Sequence, residues 1–365
     1  MSPENVRIKR EHLERFCQDI FVKLGLTEHD AVMAAKVLVA SDLRGIPSHG
    51  VGRLWRYVNG LKTGLMVPNA PVEVIRETGS SIVIDAHEAM GAPVSVRTMG
   101  KVIEKARSNG AAFGCVRNSN HFGIAGYYAM MAMEEDMLGI AMTNTAVLAV
   151  PTFGRQVMFG TNPLAFAAPA EKERGFVLDM STTVITRGKI EHYERLGKKL
   201  PIGWAVDKNG TPARDTRILL DDMFNRAGGG ILPLGGAGEE FSGHKGFGLS
   251  IMVDILCAVL SGAPFGPDVY ARKNSSAKAS HFFGAIRIDT FCDPARFRRD
   301  MDRMLEGLRN CPPAEGDERV YYAGLKEWEK EEEYTRNGIE ILKKTYDQIC
   351  SFGNDYGVEP PHILV

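Results

Sequence analysis

An alternation of strand and helix patterns between residues 72 and 142 most constrains how this chain can fold. Residues 72–75 and 81–84 alternate apolar and polar side chains, which is typical of strands. Residues 111–116 and 138–142 are further apolar strand candidates, and amphipathic helices separate these strands. The face of the first such helix is formed by Val96, Met99, Ile103 and Ala106. This order predicts a layered α/β core.

The flanking segments predict helices and a few more strands. Residues 7–45 are expected to form two helices, with Gly25 ending the first and Thr27 capping the second. The sequence also predicts a third helix over 51–61, strands at 164–168, 176–179 and 282–289, an apolar helix over 244–260, and a solvated charged run at 329–333. Residues 186–245 show little periodicity, which predicts a long segment that wraps an active site or an oligomer contact.

Composition excludes several functional classes. The 365 residues carry a formal net charge of -1, so the chain lacks the bulk positive charge that favours nucleic-acid binding. Its most apolar window contains Asp254 and is shorter than a membrane span requires. The six cysteines form no CxxC pair or zinc-binding spacing, so we expect no metal and a reduced, cytoplasmic setting.

The chain contains no G-x-G-x-x-G fingerprint between a strand and a helix. The cluster Gly243-His244-Lys245-Gly246-Phe247-Gly248 has the different form G-x-x-G-x-G, and neither a Walker motif nor a G-x-S-x-G elbow occurs. A dinucleotide would therefore have to bind in a different way from that of a Rossmann domain.

Two polar constellations could support acid–base chemistry. Ser48 and His49 precede a predicted helix, and His49, Arg53 and Tyr57 follow one another at four-residue spacing, so they would share a helical face. A histidine, a carboxylate-binding arginine and a phenol suit an organic acid substrate. The second constellation, which includes His121, follows an apolar strand as Asn118-Ser119-Asn120-His121. On spacing alone, an N-cap serine followed by an ordinary exposed stripe explains the first constellation better than a site does. A loop histidine that caps a helix explains the second constellation as well as a site does.

A third group could bind phosphate or ribose. Asp179, Met180 and Ser181 lie at a predicted strand end, and Lys245 is flanked by glycines that permit close backbone approach. A turn and an exposed lysine are the alternative interpretation.

Taken in order, these segments resemble the type 2 malate/L-lactate dehydrogenase family, which includes ureidoglycolate, sulfolactate and diketogulonate oxidoreductases. The resemblance extends to about Lys344. It rests on five motifs: residues 42–50 (DLRGIPSHG), 117–128 (RNSNHFGIAGYY), 159–163 (FGTNP), 178–182 (LDMST) and 244–249 (HKGFGL). The Asn-Ser-Asn-His form and Gly188-Lys189 are most similar to the malate dehydrogenase branch.

The resemblance implies a non-Rossmann NAD(P)-binding fold with a mixed sheet, a homodimer, and hydride transfer between nicotinamide and a 2-hydroxy or 2-oxo acid. It implies an NAD(P)-binding domain over 71–289. Residues 1–70 and 290–365 would form a helical domain for substrate binding and dimerisation.

The resemblance also implies the roles of individual residues. His121 would be the general base, with His49 as the alternative or a proton partner; Arg53 would hold the substrate carboxylate, and Ser48 and Tyr57 would orient the substrate. The residues expected to line the cofactor, NAD or possibly NADP, are Thr145, Thr161, Asn162, Asp179, Met180, Ser181, Lys245 and Gly324. Where the family often has Pro-Gly-Glu, this chain has Ala323-Gly324-Leu325, and Glu327 is a candidate replacement for the acidic residue.

Two alternatives remain open from the sequence. The substrate could be another acid of the same family, namely lactate, sulfolactate or ureidoglycolate. The chain could also be a non-catalytic NAD(P)-binding protein.

Overall fold

The computed structural model describes residues 5–270 and 276–364. The strands are β1 (Asn5–Ile8), β2 (Glu73–Glu77), β3 (Ser81–Asp85), β4 (Ala111–Ser119), β5 (Met137–Thr143), β6 (Leu164–Ala168), β7 (Phe176–Met180), β8 (Ala205–Val206), β9 (Gly230–Ile231), β10 (Ala279–Arg287) and β11 (Ile339–Leu342). The α-helices are α1 (Arg10–Lys23), α2 (Glu28–Leu43), α3 (Leu54–Lys62), α4 (Gly91–Asn109), α5 (Ala125–Met133), α6 (Arg187–Arg195), α7 (Thr216–Asn225), α8 (Gly243–Asp254), α9 (Pro294–Arg309), α10 (Leu325–Asn337) and α11 (Lys343–Tyr356).

A seven-stranded mixed sheet forms the centre of the molecule, in the order β2-β3-β4-β10-β5-β6-β7. Strands β3 and β4 run parallel, while the other neighbouring pairs run antiparallel. The predicted layered α/β fold with a mixed sheet is therefore confirmed. This strand order differs from the parallel sheet of a Rossmann domain.

Helices cover both faces of the sheet. Helices α4 and α5 pack on one face, where Val116 and Phe283 point inward from β4 and β10. Helix α8 and a π-helical turn at Ile255–Val259 cover the opposite face, over Cys115 and Phe282. Neighbouring positions of a strand thus point to opposite layers, as the pleat requires.

A second core joins the two ends of the chain. Leu13 and Phe16 of α1 and Leu38 of α2 pack with Ile339 of β11 and Ile349 of α11. Strand β1 pairs antiparallel with β11. The side chain of Thr27 accepts a hydrogen bond from Asp30 N at 3.1 Å, which confirms the predicted helix cap.

Part of the C-terminal segment packs on the sheet instead of on this second core. Met301 and Leu305 of α9 and Tyr322 contact Ala168 of β6. We propose that only the chain from β11 onward belongs with residues 5–66, because the buried residues Leu325 and Trp328 of α10 pack on the sheet side. The run at 329–333 is also not purely solvated, because Glu331 binds the buried Arg44 at 2.8 Å.

Residues 186–245 contain more structure than their sequence predicts. Helices α6 and α7 and the short pair β8–β9 surround a small core of their own. Its buried members are widely spaced along the chain, which is why no periodicity reveals them: Ile185, Ile190, Leu200, Ala205, Ala213, Leu219, Met223 and Ile231.

Gly91 lets the first turn of α4 lie directly against the loop that carries His121. A Cβ atom at Gly91 would lie 2.1 Å from the carbonyl oxygen of Asn120 and 2.7 Å from that of His121. Backbone atoms cannot rotate away as a side chain can, so any larger residue must displace the loop.

We therefore predict that Gly91→Ala destabilises the protein by roughly 1–3 kcal/mol and lowers kcat/KM at least about tenfold. Gly100→Ala, in the same helix but with nothing within 4 Å of the added Cβ, is the matched control. It should be neutral or stabilising by up to about 1 kcal/mol. Thermal unfolding and steady-state kinetics of both variants check this, and equal behaviour of the two would contradict it.

Candidate active site

The first part of the site is a turn that enters α3. A 3-10 turn at Val51–Arg53 precedes this helix, and His49 lies outside both. The predicted helical stripe of His49, Arg53 and Tyr57 is therefore wrong in its geometry. The three residues still converge, because Arg53 Nε reaches back to the carbonyl oxygen of Ser48 at 2.7 Å. Ser48 Oγ lies 3.0 Å from His49 Nδ1.

A buried carboxylate fixes this turn from beneath. Asp42 Oδ2 accepts a hydrogen bond from Val51 N at 2.6 Å, and a Cβ atom at Gly50 would lie 2.0 Å from Asp42 Oδ1. Only glycine fits at position 50 while Asp42 stays in place. Burial raises the pKa of Asp42 to about 7, and the Val51 hydrogen bond opposes that rise.

The second part is the loop after β4. The side chain of Asn120 donates to the carbonyl oxygens of Glu88 at 2.8 Å and Ala89 at 3.1 Å, which fixes the loop against the start of α4. On its other side, Phe122 stacks on the fully buried His281, with ring centroids 4.4 Å apart. His281 is itself held by Ser119 Oγ at 2.9 Å.

These two parts meet at His121. Tyr57 Oη lies 2.7 Å from His121 Nδ1, and the His49 ring stacks on the His121 ring at a centroid separation of 5.5 Å. The Nε2 atom of His121 makes no hydrogen bond to residues 5–270 or 276–364, and its side chain is only half-buried. One ring nitrogen is thus positioned by Tyr57 while the other is available to a substrate.

Desolvation keeps both imidazoles neutral. It lowers the pKa of His49 to about 4, with smaller contributions from the positive charges of Arg53 and Arg56. It also lowers the pKa of His121 well below its ordinary value, and the same two arginines add to the effect. Burial raises the pKa of Tyr57 to about 12, so its phenol stays protonated. The neutral imidazole is the form of histidine that can accept a proton.

Several of the predicted cofactor residues form one hydrogen-bonded network. Thr145 Oγ1 accepts from Thr161 N at 3.0 Å, and Thr182 N donates to Thr161 O at 2.9 Å. Thr182 Oγ1 lies 2.7 Å from Ser250 Oγ, which ties the end of β7 to α8. Asn162 differs from the expectation, because its side chain is fully buried and bonded to Thr145, Ser250 and Asp254. It supports the network from below and offers no surface to a ligand.

A cavity of about 300 Å³ brings Asp179 and Gly324 together, although 145 positions separate them in sequence. Asp179 Oδ2 accepts from Gly126 N at 2.7 Å in the first turn of α5. Gly324 has a φ of +96° and lies against the backbone of Val177, so a Cβ atom there would meet backbone atoms at 3.0 Å. Glu327 and Arg44 also line the cavity.

The start of α8 has the properties of a phosphate site. The N-cap residue Ser242 makes no side-chain hydrogen bond to this helix, and the first turn carries no acidic residue, so no carboxylate there offsets the positive end of the helix dipole. Lys245 is exposed in that first turn, and Met180 and Ser181 are half-buried at the neighbouring end of β7. This donor set fits the pyrophosphate of a dinucleotide.

A comparison with known proteins decides the family. The malate/L-lactate dehydrogenase family profile matches residues 8–350. The chain belongs to this family. It is 42% identical to a malate dehydrogenase of Pyrococcus abyssi over 97% of this chain and 96% of that protein. It is 36% identical to an L-sulfolactate dehydrogenase of Methanocaldococcus jannaschii over 96% of this chain and 97% of that protein.

A solved structure agrees with this placement. The crystal structure of malate dehydrogenase from Entamoeba histolytica superposes with a TM-score of 0.94 at 33% identity, covering 98% of this chain and 100% of that chain. Family membership makes the protein an oxidoreductase that acts on a CH–OH group. The sequence-based assignment to this family is confirmed.

Sequence reasoning missed three residues that build the site, Asp42, His281 and Tyr270, and it considered Arg56 only as an alternative partner of the substrate carboxylate. Asp42 is the first residue of the first family motif, and that was the available signal in the sequence. The structure buries it beneath Gly50. His281 is a lone histidine in an apolar strand, and sequence cannot tell such a residue from core filling. Arg56 and Tyr270 come together only through the fold.

Within the described residues, no group of three or more His, Cys, Asp or Glu side chains is arranged to hold a metal ion. In that same part of the chain, no helix is both long enough and apolar enough to cross a membrane.

Asp42 should make stability depend on pH. Its pKa is raised in the folded state, so the folded protein retains this proton between about pH 4 and pH 7 while the unfolded chain releases it. The contribution of Asp42 to stability is therefore present below about pH 4 and is lost as the pH rises through about 7.

We predict that Asp42→Asn, which keeps an acceptor for Val51 N but cannot ionise, gains stability over the parent as the pH rises. The difference in Tm between variant and parent should be more favourable at about pH 8 than at about pH 4.5 by roughly 2 °C or more. Calorimetry at both pH values measures this difference. A Tm difference that does not change with pH would show that Asp42 is ionised in the fold.

Proposed function

We propose that this protein is an NAD(P)-dependent malate dehydrogenase that interconverts malate and oxaloacetate. The observation that carries the proposal is the His121–Tyr57 pair, with one imidazole nitrogen positioned and the other available, beside the guanidinium of Arg53. The malate dehydrogenases of Pyrococcus abyssi and Entamoeba histolytica support the choice of substrate.

Different residues bind the substrate and transfer the proton. Arg53 holds the C1 carboxylate, and Ser48 and His49 line the substrate beside it. In malate oxidation, His121 accepts the C2 hydroxyl proton, while its Nδ1 is held by Tyr57 Oη and by Gly123 N. The phenol can donate or accept, so it stabilises either tautomer of the ring. Nicotinamide, when bound, accepts or supplies the hydride.

We infer that the cofactor binds along the Thr145–Thr161–Thr182 network, with its pyrophosphate near Lys245 and Ser181. Met180, Asp179 and Gly324 would then contact the remainder of the nucleotide. The carboxylates of Asp179 and Glu327 in one cavity would repel a ribose 2′-phosphate, which favours NAD over NADP.

We also propose a cytoplasmic homodimer. An apolar stripe on the outer side of α8 and the following π turn supports the dimer: Ile251, Ile255, Val259 and Leu260 are each at least 41% exposed. The six unbonded cysteines, three of them buried, suit a reducing compartment.

L-Sulfolactate is the second candidate substrate. Sulfolactate and malate both carry an acidic group beyond the hydroxy acid, and the M. jannaschii relative is named for it. The arginines at the site would attract either acid.

A substrate panel tests the proposal. We predict that oxaloacetate gives the highest kcat/KM among oxaloacetate, sulfopyruvate and pyruvate, measured by oxidation of NADH and of NADPH. A higher value for sulfopyruvate would favour the second candidate. Cofactor binding without turnover of any 2-oxo acid would identify a non-catalytic protein.

Two variants measured in the same assay locate the general base. His121→Ala should lower kcat by roughly 10²–10⁴-fold, while His49→Ala should have a smaller effect. The reverse order would assign proton transfer to His49.

A further inference from the structure

Arg56 is a second guanidinium at the site without an acidic partner. It follows Arg53 by three residues, so both lie near the same side of the α3 entrance. In the part of the chain that the structure describes, neither Arg53 nor Arg56 forms an ion pair. Glu191, whose charge raises the pKa of Arg53, is itself bonded to Arg187 at 2.8 Å. Residues 271–275 contain no Asp or Glu.

The positive charge of Arg56 affects the pKa values of the neighbouring site groups. Among the charged neighbours that depress the pKa of His121, Arg56 has the largest effect after desolvation, ahead of Arg53. It also lowers the pKa of the Arg53 guanidinium and opposes the rise in that of Tyr57. Two like charges near two neutral rings are unfavourable without a counterion, so the site is electrostatically complementary to a dianion.

Tyr270 holds Arg56 in place. Arg56 Nη2 donates a hydrogen bond to Tyr270 Oη, and the guanidinium lies 5.9 Å from the centre of the Tyr270 ring. The carbonyl oxygen of Tyr270 accepts from Arg226 at the end of α7 at 3.0 Å. The Tyr270 hydroxyl orients the guanidinium but is not an acidic partner for it. A bound acid can therefore still pair with Arg56.

We propose that Arg56, oriented by Tyr270, binds the second acidic group of the substrate and thereby selects four-carbon dicarboxylates over 2-hydroxy monoacids. The inference rests on the proposed function, which assigns the C1 carboxylate to Arg53. In malate, the C4 carboxylate is the group left for Arg56. A monoacid such as lactate has no second acidic group that could bind this arginine.

Arg56→Met tests the proposal, because methionine keeps an unbranched apolar stem and removes the charge. We predict that KM for oxaloacetate rises roughly 10- to 100-fold, the scale of one or two charge-assisted hydrogen bonds. The inhibition constant of oxamate, which carries a single carboxylate, should change less than about threefold. Tyr270→Phe should raise KM for oxaloacetate by a smaller factor, about 2- to 10-fold.

Arg76→Met, on the exposed strand β2, is the matched control and should leave these constants unchanged. Equal losses for oxaloacetate and oxamate would show that Arg56 binds the C1 carboxylate or supports the fold, and would overturn the inference. A rise in KM for NADH alone would assign Arg56 to the cofactor and overturn it as well. Failure of the parent enzyme to reduce oxaloacetate would instead count against the proposed function.

Discussion

The hydrogen bond between Tyr57 and His121 joins the two cores on which the site depends. Tyr57 belongs to the core shared by α1, α2 and the C-terminal helix, whereas His121 follows a strand of the central sheet. Each residue is fixed separately: Asp42 and Gly50 shape the turn before α3, and Gly91 and His281 confine the loop after β4. The 2.7 Å contact is therefore set by the packing of whole elements. A small shift of either core would separate the proton-transfer group from its orienting partner.

Burial and nearby positive charge both lower the pKa values of the site histidines. Desolvation lowers the pKa values of His49 and His121, and the unpaired arginines lower them further. The free site thus contains two neutral bases and two cations, an arrangement that is costly until an anionic substrate enters. Pairing between the acidic groups of the substrate and these arginines would then stabilise the site where proton transfer occurs.

Much of the fold was predictable from the sequence, because long elements carry strong periodicity. The strands from β3 to β7 and the cap at Thr27 follow from alternation and capping chemistry alone. The site residues His49 and His121 were identifiable from polar motifs at element ends. Helices α6 and α7 escaped detection because their buried residues are few and widely spaced. Arg56 and Tyr270, 214 positions apart, could not be paired from sequence, because only tertiary packing brings them together.

The most direct test of this account is the protonation state of the two site histidines. Nitrogen NMR of the protein with isotope-labelled histidine, titrated from about pH 8 to about pH 4.5, reports each ring separately. The account predicts that His121 stays neutral throughout in the free protein. Adding an unreactive dicarboxylate should raise its pKa, because the anion offsets the charges of Arg53 and Arg56. A His121 that titrates near its ordinary pKa of about 6.5, with or without the dicarboxylate, would contradict the account.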